Sequence, residues 1–172
     1  MLRIVTALAV VLALAGAASA HAASSRSDAW IRDTLAANPG SVRVADNQIR
    51  LEPGLTLTLH ARGAAKAAKA AGKPCHRLYF CIYEDVGFGN ASLDMSACRI
   101  YNLHSYRFID QFHRPDRWDN EASSWINHQT GGAVATLWSN AGGKGTFFKA
   151  PVSRDSDMGP NWNDNVESVK PC

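Results

Sequence analysis

The sequence predicts an all-β fold, two Greek key motifs packed as a sandwich, preceded by a small helix and a β-hairpin. Three observations carry this. From Cys75 to Cys172 the chain consists of short aromatic and β-branched runs separated by turns rich in Gly, Asn, Asp and Ser. Two stretches about forty residues apart resemble each other: Trp118-Asp119-Asn120-Glu121-Ala122-Ser123-Ser124-Trp125-Ile126 and Trp162-Asn163-Asp164-Asn165-Val166-Glu167-Ser168-Val169. Each is an oxygen-rich loop running from a Trp into an apolar strand, and each follows a strand, a hairpin and a returning strand. That is the order in which a Greek key is connected.

The N-terminus opens with Arg3, continues through the apolar run Ile4 to Leu14 and reaches the small residues Ala18-Ser19-Ala20. This is the pattern of a secretory signal peptide over residues 1–20, with cleavage after Ala20. The run is shorter than the about 20 apolar residues a membrane span needs. A secreted protein with no membrane association after cleavage is therefore expected. Removing Arg3 takes the net charge from +3 to +2. With its basic residues scattered, the chain offers no footprint for nucleic acid.

Ser27 to Asn38 reads as a helix. Ser27 can cap it, Asp28 suits its positive end, Trp30, Ile31, Thr34 and Leu35 share one face, and Asn38-Pro39-Gly40 stops it. Val42 to Leu59 alternates as strands, with turns at Asp46-Asn47 and Pro53-Gly54, and its stripe Leu55, Leu57 and Leu59 must be buried somewhere. Residues 21–62 are thus a helix-and-hairpin extension. The Ala/Lys/Gly-rich residues 63–74 read as a linker, with the domain boundary there. Residues 75–172 are the main domain, with Greek keys at about 75–130 and 131–172.

In the first key, Leu78 to Tyr83 is a strand and Glu84 to Asn90 a turn, with Tyr83 and Phe88 flanking a folded hairpin and Asn90 able to take a positive φ. In the second, Val134 to Trp138 is a strand, Ser139 to Gly145 a glycine-rich turn and Thr146 to Phe148 the return. Four cysteines in an exported chain read as two disulfides. Of the three pairings, Cys75–Cys81 with Cys98–Cys172 is favoured: a short local loop, and a fastening of the C-terminus to the body. Zinc is disfavoured, because there is no Cys-x-x-Cys pair and the histidines lack ligand spacing.

The pattern aromatic, four residues, aromatic, any residue, glycine, followed later by two Asn/Asp, two free positions and Ser/Thr-Ser, resembles that of the βγ-crystallin Greek keys. The Cys75 to Tyr83 opening, with the leader, resembles the secreted Streptomyces metalloproteinase inhibitor-like peptidase inhibitors of that fold. The likeness covers about residues 75–172. It implies a calcium site at Asp119, Asn120, the Glu121 carbonyl and Ser123, completed near Ser139 of the other unit. It implies a weaker second site at Glu84, Asn163, Asp164 and Asn165. Read without the resemblance, the first loop supplies hard oxygen donors of the kind calcium takes, but too few for its six to eight ligands. Three departures stand out: Asn90 where glycine is usual, Gly143 in place of the second aromatic, and Glu167 where Ser or Thr should stand.

No zinc-protease helix motif or nucleophile elbow occurs, and Gly142-Gly143-Lys144-Gly145-Thr146 lacks the hydroxyl after lysine and the following helix of a phosphate loop. An enzyme is not expected. The resemblance implies a peptidase inhibitor acting on a secreted protease; the chain is expected to be a monomer, and the insertion Asn102 to Arg117, with its aromatics and Arg107, Arg114 and Arg117, is read from its own residues as the contact loop. The alternative is a calcium-stabilised structural or cell-envelope module.

Overall fold

The computed structural model describes residues 28–60, 75–109 and 114–172. The expected signal peptide at 1–20, the Ser27 cap, the 63–74 linker and the loop residues 110–113 lie outside them.

The helix α1 occupies residues 28–37. Its Trp30, Ile31 and Thr34 are buried and Leu35 packs against the core, so the face read from the sequence is the packed one. Asn38 ends it, its side-chain amide donating to the carbonyls of Thr34 at 2.8 Å and Arg107 at 2.7 Å. The meander follows: β1 (Val42–Ala45), β2 (Gln48–Glu52) and β3 (Leu55–Leu59). The turn between β2 and β3 needs Gly54, whose φ is +81° and whose missing Cβ would stand 2.6 Å from that of Ala97.

The first Greek key contains β4 (Phe80–Asp85), β5 (Gly89–Met95), β6 (Tyr101–Asn102), a 3₁₀ turn at Leu103–Ser105, the small hairpin β7 (Arg107–Ile109) and β8 (Pro115–Arg117), and β9 (Ser124–Asn127). The second contains β10 (Ala135–Asn140), β11 (Lys144–Ala150), β12 (Arg154–Asp155) and β13 (Ser168–Lys170). Each key gives its third strand to the other's sheet. β12 pairs with β9, and β6 pairs with β13, so the two sheets are interlocked. One runs β1-β2-β3-β5-β4-β9-β12, the other β11-β10-β13-β6, both antiparallel throughout.

The first sheet crosses the boundary expected at the linker. β3 pairs with β5 through five residues, from Leu55 opposite Met95 to Leu59 opposite Ala91. Leu55 and Leu57 are fully buried in one core with Phe80, Ile82 and Leu93 of the first key and Leu137 and Val169 of the second. The Glu52 carboxylate, bonded to Arg99 at 2.7 Å and by the Tyr106 hydroxyl at 2.5 Å, ties the meander to the first key at the surface.

Alternation along β4 sends Phe80 and Ile82 into the core and Cys81 and Tyr83 to the opposite face. There Cys75, Phe88 and Ile126 form a second small cluster. Beside it lies a buried polar row. Asp94 accepts from the Thr58 hydroxyl at 2.7 Å and the Ser92 hydroxyl at 2.8 Å, and His60 Nε2 lies 2.9 Å from Ser92 Oγ. Both disulfides join the cysteines as read from the sequence, Cys75–Cys81 and Cys98–Cys172.

Candidate functional site

The two oxygen-rich loops meet across an approximate twofold. The Asn120 amide donates to the Val166 carbonyl at 2.9 Å, and the Asp164 amide to the Ala122 carbonyl at 3.2 Å. These are equivalent bonds made in opposite directions. Asn120 and Asp164, at φ +62° and +54°, are both left-handed, a conformation that Asn and Asp tolerate better than other residues with a Cβ. A duplicated loop therefore produces a reciprocal contact.

The last serine of each loop holds its own hairpin. Ser124 Oγ donates to the Asp85 carbonyl at 2.7 Å and accepts from the Phe88 amide at 3.1 Å. Ser168 Oγ donates to the Asn140 carbonyl at 2.7 Å and accepts from the Gly143 amide at 3.0 Å. Gly143 thus keeps the backbone role of Phe88 without its ring. Asn90, at φ +62°, does the backbone work of Gly145 at +79°.

The preceding position breaks the symmetry. Both Ser123 and Glu167 fasten their amides to the first strand of their own key, at Tyr83 and Trp138, each at 2.9 Å. The Ser123 hydroxyl then reaches across to Asp164 Oδ1 at 3.2 Å. Glu167 instead turns back, its Oε2 accepting from the Ala141 amide at 3.1 Å. On the Ser123 side stands a third oxygen group, Asp85, whose carboxyl is raised above its usual range by desolvation and then by the nearby Asp164 charge. The exposed carboxylates of Asp85 and Asp164 and the Ser123 hydroxyl are hard oxygen donors of the kind calcium takes.

The residues read from the sequence are distributed as follows. Ser123 and Asp164, assigned to different sites, come together. Asp119 lies on the other side, its Oδ2 3.2 Å from His104 Nδ1 and its Oδ1 buried without a hydrogen bond. Arg117 in turn bonds the other ring nitrogen of His104. Ser139 Oγ accepts from the Thr146 amide at 3.1 Å and sits 3.0 Å from the Thr146 hydroxyl, within its own hairpin. Asn163 donates to Asp164 Oδ2 at 2.8 Å, Asn165 to the Asn161 carbonyl at 3.0 Å, and Glu84 and Glu121 are half-buried. Among the described residues no three His, Cys, Asp or Glu side chains converge on one point. A cation at Asp85, Ser123 and Asp164 would accordingly need backbone carbonyls and water to complete its shell. Asp85 was missed in the sequence because it lies outside the loop motif, at the irregular end of β4.

The insertion after β6 is packed by its own aromatics. Phe108 and Trp118 are fully buried with ring centroids 5.1 Å apart. The Trp30 indole donates to the Ile109 carbonyl at 2.9 Å, which ties α1 beneath this hairpin.

Residues 68–137 match the model of peptidase inhibitor family I36. No curated protein matches the chain. Among solved structures, a βγ-crystallin domain from Clostridium beijerinckii is similar at 21% identity and a TM-score of 0.42, covering 54% of this chain and 94% of that one. The N-terminal domain of Protein S follows at 20% identity and 0.40, covering 54% and 92%. A βγ-crystallin domain from Flavobacterium johnsoniae is similar at 21% and 0.40, covering 53% and 90%. The interlocked sheets are those of a double Greek key β-sandwich, and residues 68–137 of the chain are similar to peptidase inhibitor family I36.

Proposed function

We propose that the chain is exported and inhibits a secreted peptidase, and that calcium at Asp85, Ser123 and Asp164 stiffens the inhibitory domain. The observation that carries the first part is the match of residues 68–137 to peptidase inhibitor family I36. The architecture is compatible with such a role. Interlocked sheets and two disulfides hold the surface loops before any partner arrives, and a preorganised loop loses less entropy on binding. The contact we assign is the hairpin β7–β8, which lies within the matched residues and carries the exposed Arg107. Incubating the chain that begins at His21 with secreted metallo- and serine peptidases tests this reading. Loss of activity in at least one class is expected, and full activity in all of them would refute inhibition.

The calcium part rests on the oxygen groups around Ser123. When bound, the cation would neutralise the repulsion between Asp85 and Asp164 and link the first hairpin to the second loop. A ligand bound only by the folded state at ten times its Kd adds about 1.4 kcal/mol of stability. If calcium stabilises the chain while no peptidase is inhibited, the calcium-stabilised structural module becomes the better reading.

A further inference from the structure

The outer face of the four-stranded sheet carries a pattern that neither the calcium cluster nor the β7–β8 hairpin uses. Among the described residues β11 lies at the end of that sheet, paired with β10 on one side only, and most of its residues are exposed. The register places Phe147 opposite the half-buried Trp138, and Lys149 opposite Thr136, whose other neighbour is Lys170. Beyond the bulge Lys144 pairs with Asn140, which returns it to the same face as Phe147 and Lys149. The free edge therefore displays basic, aromatic and basic side chains in succession. Phe147 is 57% exposed and Ile100, beside Trp138 at Gly143, is 44% exposed. None of Lys144, Lys149 and Lys170 forms an ion pair among the described residues.

An exposed aromatic on an unpaired edge is a template for another strand. We propose that the free edge of β11 receives an extended segment of a partner protein whose side chains on this face run acidic, apolar, acidic. The apolar residue covers Phe147, and the two carboxylates meet Lys144 and Lys149. Charge selects this occupant over a second copy of the chain, which would gather the same lysines against one another across the new ladder. The inference stands apart from the inhibitor reading, since β11 lies outside residues 68–137.

The test uses the full chain and a fluorescein-labelled peptide, acetyl-Thr-Glu-Thr-Val-Thr-Glu-Thr-amide, followed by anisotropy. Saturable binding is expected, weakened by high salt. It should fall about tenfold in the double variant K144E/K149E, since both cross-strand ion pairs become repulsive. That variant should instead bind the counterpart peptide with Lys in place of Glu. Replacing the central Thr-Val pair by Pro-Pro keeps the charge but removes an N–H from each side of the peptide, one of which must face β11, and should abolish binding. Four results would each overturn the proposal: no binding of the Glu peptide, equal binding of the Pro peptide, no preference reversal in K144E/K149E, or sedimentation as a dimer that F147S dissociates.

Discussion

Ser124 and Ser168 occupy equivalent positions and do equivalent work, each holding a hairpin carbonyl and a hairpin amide with one buried hydroxyl. Truncation would leave both backbone groups unsatisfied. Ser124→Ala should therefore cost roughly 2 to 4 kcal/mol in urea denaturation, from two lost bonds and desolvated partners. Ser123→Ala removes a hydroxyl that holds only Asp164, so it should cost less stability yet abolish the upward melting shift that we expect millimolar calcium to give the parent. An undiminished shift in Ser123→Ala would remove that hydroxyl from the ligand set. This distinction between adjacent serines was not legible in the sequence, where both belong to one motif. Which hydroxyl faces its own hairpin and which faces the other loop depends on how the two keys meet. A second effect at this scale is His60, whose imidazole burial pushes down to about 4. The unfolded chain takes up that proton near pH 6.5, so stability falls as pH drops from about 6.5 to 4, by about 3 kcal/mol in full. Asp94 acts in the opposite sense: burial raises its carboxyl, so the fold retains a proton that the unfolded chain releases, and stability falls as pH rises through its range. Comparing the parent with His60→Gln isolates the histidine. The stability difference should shrink on acidification across that window, and a constant difference would show His60 to be ordinary.

At the scale of elements, the meander β1–β3 was legible and its place was not. Alternating Leu55, Leu57 and Leu59, and the turns at Asp46-Asn47 and Pro53-Gly54, mark strands because period and turn chemistry are local. The pairing of β3 with β5 is not local: it joins segments separated by the linker, and no residue pattern names the partner strand. The stripe announced only that it required cover. Its burial in the shared core gives a direct expectation. Leu57→Ala should cost 2 to 5 kcal/mol, in the range for a fully buried leucine. It should do so in a single cooperative transition that also reports loss of the Greek keys. A separate early transition, leaving the near-ultraviolet signal of Trp118 and Trp125 intact, would make residues 28–60 an independent extension. Limited proteolysis within 63–74 should likewise leave the two pieces associated through the β3–β5 ladder, which gel filtration of the nicked chain would reveal.

For the whole molecule, the double Greek key was readable because duplication writes itself twice, in Trp118 to Val169 and in the hairpins that end at Asn90 and Gly145. The exchange of β6 and β12 between sheets was not legible, because each is a two-residue strand with no pattern of its own. The same exchange explains why the residues read as calcium donors regroup. Interlocking brings the two loops against each other, so Ser123 meets Asp164, while Asp119 stays with His104 of its own key. The scaffold is pinned by Cys75–Cys81 and Cys98–Cys172, and inhibition of a peptidase is the use we propose for it. Its most direct test is a titration of an active-site-quantified secreted metallopeptidase with the chain beginning at His21, in calcium. Residual activity should fall linearly and reach its minimum at one equivalent, with the inhibitor recovered uncleaved. Activity that stays constant through a large molar excess, or cleavage of the chain as a substrate, would contradict the account.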